Sequence, residues 1–227
     1  MYGTHGGIFT DVQDAQQWLK SQLLQPPIDL EGLHSDLAAE STNHVGLYYG
    51  STTGVTEKVA FDIQATWQQL AGETLVPINI GTVKDLSELL AYDYLILGVS
   101  TWNIGQLQDD WEIAFPQFDS IDLTGRKIAL FGIGDQYGYP DNFLDALGIL
   151  GNELIRRGAT LVGYTDPSGY EFSTSLALEN GQFMGLAIDE INQPELTESR
   201  ISQWVTEVMD VFGLRYRAAS TPDASTF

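Results

Sequence analysis

The stretch VGLYYGSTTGVTEKVAFDIQATWQQLAG, residues 45–72, contains a short apolar run, a loop of hydroxyl side chains and a helical pattern. Its opening apolar run is typical of a buried strand. Val59, Ile63 and Trp67 then recur at the spacing of one helix face. Strand, loop and helix in this order predict the first unit of an α/β sheet with parallel strands.

The same alternation continues along the chain and predicts a three-layer α/β/α fold around a five-stranded parallel sheet. A second apolar run, GLAID, follows the fifth strand after residues 165–184. We therefore expect the fifth strand to be interrupted by a long inserted loop, with two separate strands as the alternative. The remaining strands are predicted at 74–81, 94–100, 127–134 and 159–164, and the helices at 56–72, 140–158 (opened by Pro140) and 197–213.

The composition restricts the classes of partner. There are 31 acidic residues against 10 Lys and Arg, for a formal net charge of −21. Phosphate-rich nucleic acids and anionic membranes would be repelled, whereas a basic protein surface would be attracted; solubility alone is the other explanation. With no Cys, disulfides and thiolate metal sites are excluded. We see no apolar run long enough to span a membrane and no targeting signal, so a cytoplasmic protein is expected.

Two flanking segments lie outside the alternating pattern. Residues 1–44 are predicted to form an N-terminal extension, with a short helix at 10–24 followed by a linker, and residues 215–227 a flexible tail. The extension is either loosely attached or a tether that packs against a partner. It holds the three His residues, His5, His34 and His44, which we interpret as surface residues and not as a metal site.

The loop at 51–56 is a candidate phosphate site. Its hydroxyl side chains and Gly54 precede a helix, and the free N–H groups at a helix N-terminus bind anions. No Lys stands where a P-loop requires one, and the dinucleotide pattern G-x-G-x-x-G does not occur. A capped helix with incidental hydroxyls is the alternative interpretation.

Two further loops follow strands whose carboxyl ends meet at the same edge of the sheet. STWNIGQLQDDW (100–111) contains Trp102, and GIGDQYGYPDNF (132–143) contains Tyr139. Each aromatic side chain either stacks on a flat ligand or packs on its own protein. Together the three loops predict a pocket with a phosphate at one end and a planar ring between Trp102 and Tyr139.

These motifs, with SGYEF (168–172) and NGQFMGLAIDEINQ (180–193), resemble those of long-chain flavodoxins of the cyanobacterial and algal type. The resemblance covers residues 45–214 and implies an FMN-binding domain with strand order 2-1-3-4-5. The N-terminal extension departs from the family pattern. So do Ile133, where the family often has Thr, and Val55, where it often has a charged or polar residue.

The resemblance also implies roles for individual residues. Residues 51–56 would hold the FMN phosphate, Trp102 and Tyr139 would sandwich the isoalloxazine, and the Asn103–Ile104 peptide would reorient to hydrogen-bond the flavin N5. Gly134 and Asp135 would contact the pyrimidine edge. The cofactor-binding residues expected are Ser51, Thr52, Thr53, Gly54, Val55, Thr56, Ser100, Thr101, Trp102, Asn103, Ile104, Gly105, Ile133, Gly134, Asp135, Tyr139 and Asn142.

The function implied is a low-potential shuttle of single electrons on the semiquinone/hydroquinone couple of FMN, replacing ferredoxin. The protein would be a carrier and not an enzyme, because the flavin supplies the chemistry. By resemblance the partners are photosystem I and ferredoxin–NADP reductase, and a monomer is expected. An FMN-dependent NAD(P)H:quinone or flavin reductase is the alternative. A response-regulator receiver is set aside, because Gly50-Ser51 and Ser100-Thr101 stand where it needs acidic residues.

Overall fold

A computed structural model of the chain describes residues 45–214. The sequence-predicted helix at 10–24, the linker up to 44, the three His residues and the tail 215–227 lie outside the described residues. The strands are β1 (Val45–Tyr49), β2 (Pro77–Asn79), β3 (Tyr94–Trp102), β4 (Gln106–Leu107), β5 (Lys127–Ile133), β6 (Thr160–Val162), β7 (Leu178–Glu179), β8 (Gln182–Phe183) and β9 (Leu186–Ile188). The α-helices are α1 (Val55–Ala71), α2 (Asp109–Ala114), α3 (Asp145–Arg156) and α4 (Thr197–Phe212). Turns of 3-10 helix occupy Ile80–Thr82, Leu86–Ala91, Phe115–Ser120, Pro140–Asn142 and Pro194–Leu196.

The main sheet is parallel, with the order β2-β1-β3-β5-β6. Strand β9 also pairs with β5 in parallel: β6 lies beside Lys127–Ala129 and β9 beside Phe131–Ile133. Both short strands therefore occupy the same edge of β5, one after the other. The predicted order 2-1-3-4-5 and the interrupted fifth strand are confirmed, because β6 and β9 together take the fifth position.

The sheet is buried on both faces, which explains the nearly continuous apolar sequence of its central strands. Consecutive residues of β3 illustrate this: Leu97 belongs to one core and Ile96 to the other, because successive side chains point to opposite faces. Trp111 of α2 packs in the first core, while Trp67 of α1 and Trp204 of α4 pack in the second. The predicted three-layer architecture is confirmed.

For the helix predicted at 140–158, the predicted starting residue is wrong. Pro140 begins a single 3-10 turn, and α3 starts at Asp145. Leu144 separates the two with a φ of 62°, a left-handed value that interrupts a helix. The side chains of Phe143 and Leu144 are buried, so the chain turns here to bring both into the core.

The other predicted bounds differ less. Strand β2 is shorter than the predicted 74–81, because Asn79 accepts a hydrogen bond from the Gly81 N–H through its side chain and starts a 3-10 turn. Strand β3 runs to Trp102, beyond the predicted end at residue 100, and β4 pairs with it in the antiparallel direction.

The segment inserted between β6 and β9 contains a small hairpin, in which Leu178 pairs with Phe183. Phe183 and Phe172 pack on Phe143, with ring centroids 5.8 Å and 5.4 Å away. The insertion is therefore anchored to the segment that leads into α3. Within residues 45–214, no helix is both long and apolar enough to cross a membrane.

Candidate functional site

The loop between β1 and α1 places hydroxyl side chains at the start of a long helix. Gly54 has a φ of 87°, a value that favours glycine, and its N–H donates to Ser51 Oγ at 3.1 Å. Thr52 Oγ1 accepts from Gln108 Nε2 at 3.1 Å. Within the described part of the chain, no side chain caps the first turn of α1. Its N–H groups and the positive end of the helix dipole are therefore available to an anion beside Thr53 and Thr56.

Trp102 is held by the sheet, not by a free loop. It is the last residue of β3 and pairs with Gln106 of β4, and its indole N–H donates to Ser100 Oγ at 3.0 Å. Asn103 and Gly105, with φ values of 47° and 86°, form the tight turn between the two strands. Ile104 at the tip of this turn is 79% exposed.

A buried carboxylate lies beneath this turn. A Cβ on Gly105 would lie 2.6 Å from Asp145 Oδ2, so only glycine fits here. Asp145 accepts from Asn142 Nδ2 at 2.8 Å and from the Leu176 N–H at 2.7 Å. The hydroxyl of Thr101, the residue before the end of β3, accepts a hydrogen bond from the Ala146 N–H at 3.2 Å. Through Asp145 and Thr101, the turn between β3 and β4, the start of α3 and the inserted segment are held together.

The loop after β5 is closed by its own acidic residue. Asp135 accepts from the Gly138 N–H at 2.8 Å, from the Tyr137 N–H at 3.2 Å and from Asn192 Nδ2 at 2.8 Å. Burial raises the pKa of Asp135, but these hydrogen bonds favour the charged form more strongly and hold its pKa below the ordinary value. Asp135 therefore shapes the loop that carries Tyr139, whose side chain is 52% exposed.

The loop after β9 is held by the fully buried Asp189. Its Oδ1 accepts from the Ile191 and Asn192 N–H groups at 3.2 Å and 3.0 Å. Its Oδ2 accepts from the Gln136 N–H at 3.0 Å and from Gln136 Nε2 at 2.8 Å. Asp189 thus ties the loop after β9 to the loop after β5 and fixes the position of Glu190.

These loops enclose a cavity of about 290 Å³ at the carboxyl ends of the parallel strands. That is the edge at which open α/β sheets bind ligands. The cavity is lined by Thr53, Val55, Thr56, Ser100, Thr101, Trp102, Asn103, Ile133, Gly134, Asp135, Tyr139, Asn142, Glu190 and Ile191.

Most of the predicted site residues therefore meet in one cavity, and five do not line it: Ser51, Thr52, Gly54, Ile104 and Gly105. Each of the five has a visible reason. The hydroxyls of Ser51 and Thr52 accept hydrogen bonds within the protein, and Gly54 and Gly105 supply turns. Ile104 points out from the rim. Direct contact of these residues with a ligand stays a prediction.

The flavodoxin family profile matches residues 47–204 of the chain. The chain belongs to the flavodoxin family. A flavodoxin of Synechococcus elongatus is 50% identical over 170 residues, which cover 75% of this chain and 98% of that protein. Flavodoxin 2 of Escherichia coli is 42% identical over 177 residues, which cover 76% of this chain and 99% of that protein. The crystal structure of Fusobacterium nucleatum flavodoxin bound to flavin mononucleotide superposes with a TM-score of 0.69 at 30% identity, covering 74% of this chain and 98% of that one.

In this flavodoxin the cavity has two lining residues for which the sequence predicted no role, Glu190 and Ile191. They follow the second half of the interrupted fifth strand. The rule that ligands bind at the carboxyl ends of parallel strands applies to that half as well, and it is the signal that could have found them.

The charge of the cavity is unbalanced. Among its described lining residues two are acidic, Asp135 and Glu190, and none is Lys or Arg. The ammonium of Lys58, on α1, lies 3.7 Å from Glu190 Oε1 and 3.0 Å from Asp62 Oδ2. An anion bound here would therefore be held by neutral N–H and O–H donors in a negative surrounding.

Proposed function

We propose that the chain is an electron carrier that holds one FMN in the cavity at the carboxyl ends of its parallel strands. One observation carries the proposal: a single cavity joins an uncapped helix N-terminus with threonine hydroxyls to the aromatic side chains of Trp102 and Tyr139. FMN is a phosphate monoester attached to a planar ring system, so its two ends match the two ends of the cavity. The F. nucleatum flavodoxin bound to flavin mononucleotide supports the assignment.

The residues present fit the phosphate of FMN. Thr53 and Thr56 would donate their hydroxyls, together with the N–H groups of the first turn of α1. Thr56 is 1% exposed, so its hydroxyl is shielded from solvent. Neutral donors suffice for a phosphate at such a position, because the helix dipole adds to their attraction.

The residues at the other end fit a planar ring. Trp102 is fixed by its pairing in the sheet and by its hydrogen bond to Ser100, so it offers a preformed stacking surface. Tyr139 lies on the loop that Asp135 closes. We propose that the backbone of Gly134 and Asp135 and the Asn103–Ile104 peptide contact the ring edge, as the sequence predicts.

When bound, FMN supplies the one-electron redox chemistry. The chain contributes water exclusion by its aromatic side chains and the negative charges of Asp135 and Glu190. A like charge at about 10 Å costs an added anion on the order of 1 kcal/mol at an intermediate dielectric. These carboxylates therefore disfavour the gain of negative charge in the cavity and keep the reduction potential low. Flavodoxins are electron carriers and not enzymes, and relatives from Synechococcus and Escherichia alike bear that name, so the reductase alternative is not favoured.

Family membership implies redox proteins as partners. We propose that these present basic docking surfaces, photosystem I and ferredoxin–NADP reductase being the pair expected, because the chain has a formal net charge of −21. Ile104 and Ile191, 79% and 71% exposed, would contact such a partner at the cavity rim. A cytoplasmic monomer is part of the proposal. So is a division into an FMN-binding domain at 45–214, an N-terminal extension at 1–44 and a tail at 215–227.

Stepwise anaerobic reduction of the purified full-length chain, followed by absorbance, tests the function. We expect a yellow protein with one FMN per chain that is reduced in two separate one-electron stages with distinct spectra. A colourless protein that takes up no added FMN would contradict the proposal. Direct two-electron bleaching by NADPH alone would support the reductase instead.

A further inference from the structure

Glu190 is an acidic side chain in a cavity that should attract an anion. It lines the same cavity as Thr53 and Thr56, and its side chain is only 17% exposed. Its Oε1 is buried and accepts no hydrogen bond from the described residues. A buried carboxylate oxygen without a donor is costly, so its position calls for an explanation.

The backbone of Glu190 cannot move away from the cavity without breaking a hydrogen-bond network. Asp189, directly before it, accepts the N–H groups of Ile191 and Asn192. Asn192 also donates to Asp135 at 2.8 Å on the opposite loop. Hydrogen bonds on both sides of Glu190 thus fix its backbone at the edge of the cavity.

Among residues 45–214, Lys58 is the cation paired with Glu190. The Lys58 ammonium lies 3.7 Å from Glu190 Oε1, and Lys58 belongs to the first two turns of α1, the helix whose N-terminus faces the cavity. Lys58 also pairs with Asp62, at 3.0 Å, which does not line the cavity. Glu190 therefore adds a negative charge to the cavity that Thr53 and Thr56 line, and Lys58 adds a positive charge next to it; Glu57 in the first turn of α1 is a further acidic side chain.

We infer that Glu190 and Lys58 tune how strongly the cavity prefers a phosphorylated flavin over an unphosphorylated one. Glu190 repels the phosphate and lowers the affinity for FMN, and Lys58 offsets this repulsion. The inference rests on the proposed function, because it assumes that the phosphate lies at the start of α1. It adds two residues to which neither the motifs nor the comparisons give a role.

Riboflavin distinguishes an effect of Glu190 on the phosphate from contacts with the rest of the flavin, because it has the ring and the ribityl chain of FMN but no phosphate. Equilibrium dialysis of the full-length chain, stripped of flavin, gives the affinity for each. For Glu190→Gln we expect FMN to bind more tightly by on the order of tenfold at low salt, with riboflavin unchanged. The gain should shrink at high salt, where charges are screened.

Lys58→Gln should weaken FMN binding by about threefold, less than tenfold because Lys58 is largely exposed. In the double variant Lys58→Gln/Glu190→Gln, the two opposite effects on FMN affinity should nearly add, because each charge interacts with the phosphate separately. Asp62→Asn is the matched control. It removes a charge from the other partner of Lys58, outside the cavity, and should leave both affinities unchanged.

Four outcomes would overturn the inference while leaving the proposed function intact. The first is an unchanged FMN affinity in Glu190→Gln, and the second is a loss of both flavins, which would mean that Glu190 accepts a hydrogen bond from the part they share. The third is an equal gain in Asp62→Asn, which would reduce the effect to net charge. The fourth is an unchanged FMN affinity in Lys58→Gln, which would mean that Lys58 does not offset the repulsion. If the wild-type chain binds neither flavin, the proposed function fails and the inference with it.

Discussion

Replacing Asp189 by Asn should loosen the cavity although Asp189 does not line it. The carboxylate is fully buried and only accepts hydrogen bonds, four of them from N–H donors of Gln136, Ile191 and the Asn192 backbone. An Asn side chain keeps one oxygen. If that oxygen stays at Oδ1, the new NH2 group faces Asn192 Nδ2 and the two donors of Gln136. Asn192 Nδ2 keeps Oδ1 and Asp135 as acceptors, whereas both donors of Gln136 lose theirs.

A buried donor left without an acceptor costs about 1–3 kcal/mol, so the loss of two predicts a destabilisation of about 3 kcal/mol. With a urea m value of about 2 kcal/mol per molar, the unfolding midpoint should fall by about 1.5 M. FMN affinity should fall as well, since the loop that carries Asp135 and Tyr139 loses its anchor.

Urea unfolding of the full-length chain, at equal flavin content for each variant, measures the shift. Asp122→Asn is the matched control, because Asp122 is exposed and accepts one backbone N–H, from Thr124 at 2.9 Å. We expect almost no change for that variant. A midpoint for Asp189→Asn equal to that of Asp122→Asn would refute the reasoning that Asp189 holds the two loops together.

Three further predictions concern the cavity and the sheet. Thr56→Val should weaken FMN binding about fivefold in equilibrium dialysis and leave riboflavin unchanged, because one neutral hydrogen bond to the phosphate is lost; an equal FMN affinity would argue against the phosphate loop. Gly98→Ala should lower the free energy of unfolding in urea by about 3 kcal/mol, since its Cβ would lie 2.0 Å from Phe131 Cζ between β3 and β5; a stable variant would show that the ring moves aside at little cost. The pKa of Asp135 is lower in the folded protein than its ordinary value, so its carboxylate stabilises the fold above that value and the effect is lost as pH falls through the folded pKa. The melting temperature of the wild type should therefore exceed that of Asp135→Asn at pH 7, and the difference should disappear below about pH 4. A difference in melting temperature that is the same at pH 3 and pH 7 would exclude the charge of Asp135 as its cause.

The order of the sheet could be predicted because its strands are covered on both faces. Runs such as the one at 94–100 are nearly continuous in apolar residues and stand out from the helical patterns between them. The two pieces of the fifth strand were recognisable for the same reason, since β6 and β9 each belong to an apolar run. Their pairing with opposite halves of β5 needed the structure.

Short elements could not be predicted. Strands β4, β7 and β8 have two residues each, too few for any periodicity to appear. The left-handed Leu144 is also invisible in sequence, because leucine has no preference for that conformation and adopts it only where the core demands it.

The sequence could predict the cavity residues whose side-chain chemistry is distinctive. The prediction was incomplete for residues that are recognisable only by their position in the fold. Hydroxyls before a helix and aromatics at strand ends are recognisable by type, so Thr53, Thr56, Trp102 and Tyr139 could be named. Glu190 was missed because its only signal in the sequence is position: it follows the second half of the interrupted fifth strand, in a loop that Asp189 holds in place.

The inserted segment completes the cavity without lining it. It lets the chain leave the sheet after β6 and return at β9, so that Asp189 arrives beside the loop after β5. Gln136, in the loop after β5, then connects that loop to the loop after β9 and to the insertion. Its N–H groups donate to Asp189, and its Oε1 accepts from the Glu171 N–H of the insertion at 2.7 Å. An uninterrupted fifth strand could deliver a residue to the same edge, but it would leave Gln136 Oε1, on a fully buried side chain, without this donor. The insertion therefore acts on the cavity through Gln136 and Asp189, by fixing the two loops that face each other across it.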